Sequence, residues 1–130
     1  MGKVSWLSEH YNTNAWDNTE TWLGAAKHSL QKWRGTLPEV LEEHGIKYEE
    51  RRLSTKGGPF LSFRASTCAL CYKADLVSEG EDSCEVCPLT LSGNIGCNES
   101  GSAYVMNDPE EMVRVLEETV KWIEENNYGI

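Results

Sequence analysis

Long hydrophobic runs are absent from this 130-residue sequence. A membrane-spanning helix needs roughly 20 consecutive, mostly apolar residues, and no segment comes near that length, so the pattern predicts no membrane span. The first ten residues hold no apolar run of signal-peptide length and already include Glu9, which disfavours a secretory signal. We therefore expect a cytoplasmic protein that makes no membrane contact.

The motifs of several enzyme classes are missing as well. The three histidines, His10, His28 and His44, form no H-E-x-x-H pair, and the glycines near residue 57 lack the phosphate-loop frame. No H-x-E segment precedes a P-C-x2-C segment, which is the arrangement of zinc deaminases. We therefore expect a protein without enzymatic activity.

Basic residues are scarce in the second part of the chain. Residues 1–74 hold ten Lys and Arg against eight Asp and Glu, whereas residues 75–130 hold two against thirteen, which gives net charges of +2 and −11. An acidic surface repels phosphate backbones and attracts basic proteins. The pattern disfavours general nucleic-acid binding and favours a protein partner, unless the acidic side chains are only a solvated face.

The first part of the chain still carries a local group of basic residues. This group predicts a site for a small anion or nucleotide, or else a zinc-ribbon surface for nucleic acid. Its members are Arg51, Arg52, Lys56 and Arg64.

Apolar periodicity predicts two consecutive helices before residue 46. The first is expected to be capped by Asn18 or Thr19 and to end at a left-handed Gly35. The second is expected to start with the capping box Thr36–Glu39 and to end at Gly45.

A β-hairpin and a third helix are predicted further along. Ile46–Leu53 and Phe60–Arg64 have the composition of two strands, joined by a turn at Lys56–Pro59. Asp108 followed by Pro109 is a helix start, and an apolar stripe continues it. The stripe consists of Met112, Val113, Leu116, Val120 and Ile123.

All five cysteines lie in a segment that is too poor in apolar residues to fold by burial alone. Their spacing is Cys68-x2-Cys71, twelve residues, Cys84-x2-Cys87, nine residues, and Cys97. Two C-x2-C pairs are typical of a structural zinc site with four thiolate ligands. We predict two zinc-knuckle turns that bind Zn²⁺ through the first four cysteines, with Cys97 as an alternative ligand.

Other uses of the cysteines remain open. An iron–sulfur cluster is also ligated by cysteine alone, and Cys87-Pro88 is shared with some ferredoxin patterns. Disulfides would need an oxidising compartment and would leave one thiol unpaired. Free buried thiols are the remaining alternative.

The cysteine segment resembles small uncharacterised bacteriophage and prophage proteins. The resemblance covers about a third of the chain, and it is carried by Cys68-Ala-Leu-Cys71-Tyr72, Cys84-Glu-Val-Cys87-Pro88-Leu89, Gly96-Cys97 and Ser102-Ala-Tyr104. It implies a cytoplasmic protein stapled by a metal ion, and it assigns no catalytic residue.

Together these patterns predict a small single α+β domain in which helices pack on a short hairpin. An N-terminal arm (1–18) precedes the helical pair and hairpin (19–67), a cysteine-rich, zinc-ribbon-like metal lobe (68–104) and a C-terminal helix (105–130). The expected function is non-enzymatic binding of a protein partner. As a phage-encoded protein it would be an inhibitor or modulator of a host protein.

Aromatic and acidic side chains are the predicted contacts with that partner. Tryptophan is enriched at interface hot spots, and the first two tryptophans lie outside the periodic segments. The predicted partner-binding residues are Trp6, Trp16, Glu117, Glu118, Glu124 and Glu125.

Overall fold

A computed structural model describes residues 3–11, 20–49, 52–55, 58–62, 69–78, 88 and 108–128 of the chain. Within these ranges lie five helices with defined bounds: α1 (Lys3–His10), α2 (Trp22–Arg34), α3 (Pro38–His44), α4 (Ala69–Ser78) and α5 (Pro109–Asn126). The same ranges hold three strands: β1 (Lys47–Glu49), β2 (Arg52–Thr55) and β3 (Gly58–Ser62). The predicted α+β class is confirmed, and no described helix combines the length and the apolar character that a bilayer crossing needs.

The core is built around α2, which contacts α1, α4 and α5. Trp22 at the start of α2 stacks near Tyr128 with 5.6 Å between ring centroids, and the Nζ of Lys73 on α4 lies 5.3 Å from the Trp22 ring. Trp33 at the other end of α2 meets Tyr48 of β1 edge-on at 6.1 Å. The two tryptophans thus fix neighbouring helices and the sheet to the two ends of one helix.

The N-terminal segment contains a helix that the sequence analysis did not predict. Helix α1 occupies part of the expected arm, and Trp6 on it is fully buried. Its indole Nε1–H donates a 2.9 Å hydrogen bond to the carbonyl oxygen of Gly35. A helix of eight residues is marginal alone, so this burial is the physical reason that residues 3–10 of the expected arm form a helix.

The start and the end of α2 both differ from the prediction. The N-cap is Thr21, whose Oγ1 accepts a 2.9 Å hydrogen bond from the amide of Gly24, and residues 18 and 19 lie outside the described ranges. Gly35 is right-handed, with φ −67°, rather than left-handed. Its amide donates to the carbonyl of Lys32 at 3.1 Å, which continues the helical turn.

Helix α3 begins without the predicted capping box. Its N-cap is Leu37, which makes no side-chain cap, because the Oγ1 of Thr36 donates to the carbonyl of Trp33 at 2.6 Å instead. The predicted end is confirmed, since Gly45 is left-handed with φ 66°. Glycine suits this position because it lacks the Cβ that disfavours a left-handed residue.

The predicted hairpin is a three-stranded antiparallel sheet in the order β1-β2-β3. The segment expected to be one strand, Ile46–Leu53, contributes to both β1 and β2, because residues 47–49 pair antiparallel with residues 52–54. Only Leu53 of β2 is buried, while Arg52 is exposed. Gly58 and Pro59, assigned to the turn, belong to β3, an edge strand where proline is tolerated.

Helix α5 agrees with the prediction in its start and its buried face. Asp108 is the N-cap, Pro109 follows, and Asn127 is the left-handed C-cap with φ 50°. The predicted apolar stripe is buried, apart from the half-buried Val120. The helix packs along α2.

Helix α4 lies in the segment predicted to be a zinc-ribbon-like lobe. Ala69, Leu70 and Ala74 are buried in the common core, so this part of the segment folds onto α2 rather than as a separate lobe. Pro88 is fully buried as well. The rest of the predicted lobe, residues 68, 79–87 and 89–104, lies outside the described residues.

Candidate functional site

A polar cluster forms where the last turn of α1 meets the end of α3. We define it by four side chains, Ser5, Glu9, His10 and His44, which two helices bring together from positions up to 39 residues apart. Glu9 lies one turn after Ser5 on α1, and both side chains contact His44 at the end of α3. His10 lies one turn after Trp6, and its ring contacts that indole and the ring of His44. The cluster therefore depends on the same packing that orders α1.

His44 is the buried centre of the polar cluster. Its side chain is 5% exposed, and both of its ring nitrogens have partners. Nε2 lies 2.8 Å from Oε2 of Glu9, and Nδ1 lies 2.8 Å from Oγ of Ser5. A carboxylate only accepts, so Nε2–H donates to Glu9, and the Ser5 hydroxyl donates to Nδ1 when the ring is neutral.

His10 approaches the same carboxylate from the other side. Its Nδ1–H donates to the carbonyl of Gln31 at 3.0 Å, and its Nε2 lies 3.9 Å from Oε2 of Glu9. Gln31 on α2 also donates from Nε2 to the carbonyl of Glu9 at 2.7 Å. The side chain and the backbone carbonyl of Gln31 thus hold both Glu9 and His10 in the last turn of α1.

An indole ring packs against one of the two imidazoles. Trp6 lies 5.4 Å from the ring of His10, and the two histidine rings meet edge-on at 6.1 Å. The His10 side chain is 11% exposed, whereas that of Glu9 is 56% exposed. The cluster is therefore buried at its two imidazoles and exposed to solvent at Glu9.

The cluster has the donor set of a metal site. Glu9, His10 and His44 each offer one ligand atom, and these atoms lie within 4.8 Å of one another. No spacing motif in the sequence marks this set, because its residues come from two separate helices. The signal that could have found it is the dipeptide Glu-His, which occurs at the end of both helices, at 9–10 and at 43–44.

The predicted zinc ligands fall almost entirely outside the described part of the chain. The structure does not describe three of the four predicted ligands, Cys68, Cys84 and Cys87, or the alternative ligand Cys97. For the fourth, Cys71, only the backbone position is described. Cys71 is helical, in the first turn of α4, where a zinc-knuckle turn was predicted. Binding of zinc or of an iron–sulfur cluster by the cysteines stays a prediction.

The predicted anion group is represented by one residue. Arg52 is an exposed residue on β2, whereas Arg51, Lys56 and Arg64 lie outside the described residues. The grouping of these four side chains therefore stays a prediction.

The predicted tryptophan contacts are corrected at one position. Trp6 has no exposed surface, so it is a core residue and cannot contact a partner as an exposed anchor. The reason is its position in α1, where the indole fills the space beside Gly35. Trp16 lies outside the described residues.

The predicted acidic residues form an exposed face on α5. All four glutamates are exposed, and basic residues pair with three of them. Arg34 on α2 contacts Glu117 at 3.2 Å, Lys121 lies 3.8 Å from Glu125, and Arg114 contacts both Glu111 and Glu118. We call Glu117, Glu118, Glu124 and Glu125 the α5 acidic face.

One ion pair on α5 shifts the pKa values of both partners. The hydrogen bond from Arg114 holds the pKa of the Glu111 carboxyl below its usual value, and the attraction of the charges acts in the same direction. The same hydrogen bond raises the pKa of Arg114. Because both side chains are well exposed, the pair is screened by solvent and by salt.

Comparisons of the chain with family models, curated proteins and solved structures found no match. The resemblance of the cysteine segment to phage and prophage proteins therefore stays a prediction.

Proposed function

We propose that this chain is a non-enzymatic binding protein that uses the α5 acidic face to contact a basic surface on a protein partner. The observation that carries the proposal is the division of α5 into two faces. One face is buried against α2, and the other presents acidic side chains to solvent. A helix fixed along one side presents its charges at set positions, as recognition of a charged surface requires.

The charge of α5 supports a basic partner. The helix holds six acidic and two basic residues, a net charge of −4, so its two internal cations cannot neutralise it. Glu118, Glu124 and Glu125 are exposed and contribute to a negative field that steers a basic partner toward the helix. A surface that normally binds phosphate or nucleic acid is the kind of target that such a helix would block.

In a phage this activity would make the protein an inhibitor or modulator of a host protein. The predicted zinc at Cys68, Cys71, Cys84 and Cys87 belongs to this proposal as a structural staple for the segment that follows α4. Elemental analysis of the purified protein distinguishes zinc from iron. Absence of both metals would contradict the proposal that a metal ion bound by the cysteines stabilises this segment.

The binding test compares two variants with the same change of charge. Glu118, Glu124 and Glu125 are replaced by Gln on α5, and the control replaces Glu39, Glu42 and Glu43, which are exposed glutamates on α3. Each protein is used to capture partners from a bacterial lysate at low salt, and the captured protein is then purified. Its association rate is measured against salt concentration.

We expect one basic partner that the wild type and the α3 control bind equally and that the α5 variant binds more weakly. Association with the wild type should slow steeply as salt rises, since steering by exposed charges is screened. Equal binding by all three proteins would contradict the proposal, as would failure to capture any specific partner at low salt.

A further inference from the structure

We propose that Glu9, His10 and His44 bind a divalent transition-metal ion of the zinc class. This site is separate from the predicted cysteine site and lies between α1 and α3. It goes beyond the proposed function, because it does not depend on the α5 acidic face.

The hydrogen bonds of His10 leave the ring nitrogen that faces Glu9 available to a metal. Metal-bound histidines usually donate their other ring N–H to a carbonyl, a carboxylate or a similar acceptor, which fixes the tautomer. In His10 the Nδ1–H already donates to the carbonyl of Gln31 at 3.0 Å. The Nε2 atom of His10 therefore carries the lone pair, and it faces Glu9.

The second imidazole can adopt the same tautomer. Nδ1 of His44 lies 2.8 Å from the hydroxyl oxygen of Ser5, and a hydroxyl both donates and accepts. When the proton of His44 moves from Nε2 to Nδ1, the Ser5 oxygen accepts it in a hydrogen bond. Nε2 is then free to replace its hydrogen bond to Glu9 with a bond to the metal.

The distances suit a small ion. In a tetrahedral zinc site with bonds near 2.0–2.1 Å, ligand atoms lie roughly 3.3 Å apart. Oε2 of Glu9 lies 2.8 Å from Nε2 of His44 and 3.9 Å from Nε2 of His10, and these two separations bracket that value. Small side-chain rotations would place the three atoms around one ion.

Burial gives the site a fixed base and an open side. The imidazoles of His10 and His44 are 11% and 5% exposed, whereas the Glu9 side chain is 56% exposed. Ligands held by packing lose little conformational freedom when they bind, and the exposed carboxylate gives the ion a path from solvent. Three protein ligands leave a further position for water.

The donor types select the class of ion. Two imidazole nitrogens and one carboxylate oxygen suit Zn²⁺, Co²⁺, Ni²⁺ and Cu²⁺, whereas Mg²⁺ and Ca²⁺ prefer sites made of oxygen alone. An ion at this point would join the end of α1 to the end of α3, and it would thereby oppose separation of α1 from the rest of the fold.

The experiment observes the imidazole signals of each histidine separately, so that metal bound by the cysteines does not affect the result. The ¹⁵N-labelled full-length protein is titrated with Zn²⁺, and the imidazole nitrogens are observed by NMR. His28 is the internal control, because it is not part of the cluster. Thermal unfolding is measured with and without Zn²⁺.

The matched variants are Glu9→Gln and Glu43→Gln. Both change an exposed glutamate that directly precedes a histidine, but only Glu9 faces the two imidazoles. Loss of an outer-shell partner already costs roughly 10–100-fold in metal affinity, so loss of a direct ligand should weaken zinc binding at least as much. Circular dichroism checks that each variant folds.

We expect Zn²⁺ to shift the Nε2 signals of His10 and His44 together, to leave His28 unchanged and to raise the unfolding temperature of the wild type. Glu9→Gln should weaken these effects, and Glu43→Gln should keep them. The proposal is wrong if excess Zn²⁺ shifts neither imidazole, if His28 shifts in parallel with the other two, or if the two variants bind zinc equally.

Discussion

The indole of Trp6 occupies the space in which a side chain at Gly35 would lie. Its Nε1–H donates to the carbonyl oxygen of Gly35 at 2.9 Å, and a Cβ atom at residue 35 would lie 2.4 Å from the Cζ2 atom of the ring. The φ of Gly35 is −67°, which any residue adopts. Glycine is therefore required here by the close approach of α1 and not by backbone conformation.

Replacing Gly35 with Ala should destabilise the protein. The new methyl group meets a buried ring that is itself hydrogen-bonded, so either α1 must shift or the bond to the Gly35 carbonyl must break. Overpacking of this kind costs about 1–3 kcal/mol, which chemical denaturation would measure as a lower free energy of unfolding. An unchanged free energy of unfolding would show that Trp6 does not pack beside Gly35.

A double-mutant cycle with Trp6→Phe isolates the contact. Phenylalanine lacks the atoms that crowd a Cβ at residue 35, so Gly35→Ala should cost less in the Trp6→Phe background than in the wild type. Gly45→Ala is a contrasting change, because φ is +66° there and nothing lies within 4 Å of the added Cβ. Its cost should come from backbone strain alone and should not depend on residue 6.

The parts of the fold that the sequence predicted are those with local causes. Helix α5 begins as expected because Asp108 and Pro109 act within one turn of their own positions. Gly45 ends α3 for the same reason. Where the capping side chain, the amide that it binds and the residue with the required φ are close in sequence, the sequence pattern is sufficient to predict where a helix begins or ends.

The parts that were missed depend on contacts between distant residues. Helix α1 is ordered by the bond between Trp6 and Gly35, 29 residues away, and Glu9 meets His44 across 35 residues. Thr36 was expected to cap α3, but its hydroxyl has a nearer acceptor in the preceding turn. Composition indicates which residue types can bind a metal, but only tertiary packing decides which of them meet.

Thr21→Ala should lower stability through loss of the α2 cap. The Oγ1 of Thr21 accepts the amide of Gly24 at 2.9 Å, and loss of an N-cap of this kind costs about 1 kcal/mol. Thr21→Ser keeps the oxygen and should retain most of the stability. Thermal or chemical unfolding measures both variants, and an equal loss in both would show that the hydroxyl does not cap the helix.

Ile123→Ala should be among the more damaging substitutions in α5. The side chain is fully buried in the core that α5 shares with α2, and removal of buried methyl and methylene groups leaves a cavity that costs about 2–5 kcal/mol. Val120→Ala on the same helix is the control. Val120 is half-buried, so its loss in unfolding free energy should be smaller, and an equal or larger loss would mean that α5 packs through a different face.

The Arg114–Glu111 pair should make a small contribution to stability that depends on pH. The pKa of Glu111 is lowered in the folded state, mainly by the hydrogen bond from Arg114, so the folded protein holds the ionised carboxylate better than the unfolded chain does. The contribution is therefore complete above the unfolded pKa of about 4.3 and is lost as the pH falls through the folded value. NMR titration of the Glu111 carboxyl carbon measures the shift, which should fall with added salt because the pair is exposed. Arg114→Gln should return the pKa of Glu111 toward its usual value, and an unchanged pKa in that variant would contradict the assignment to Arg114.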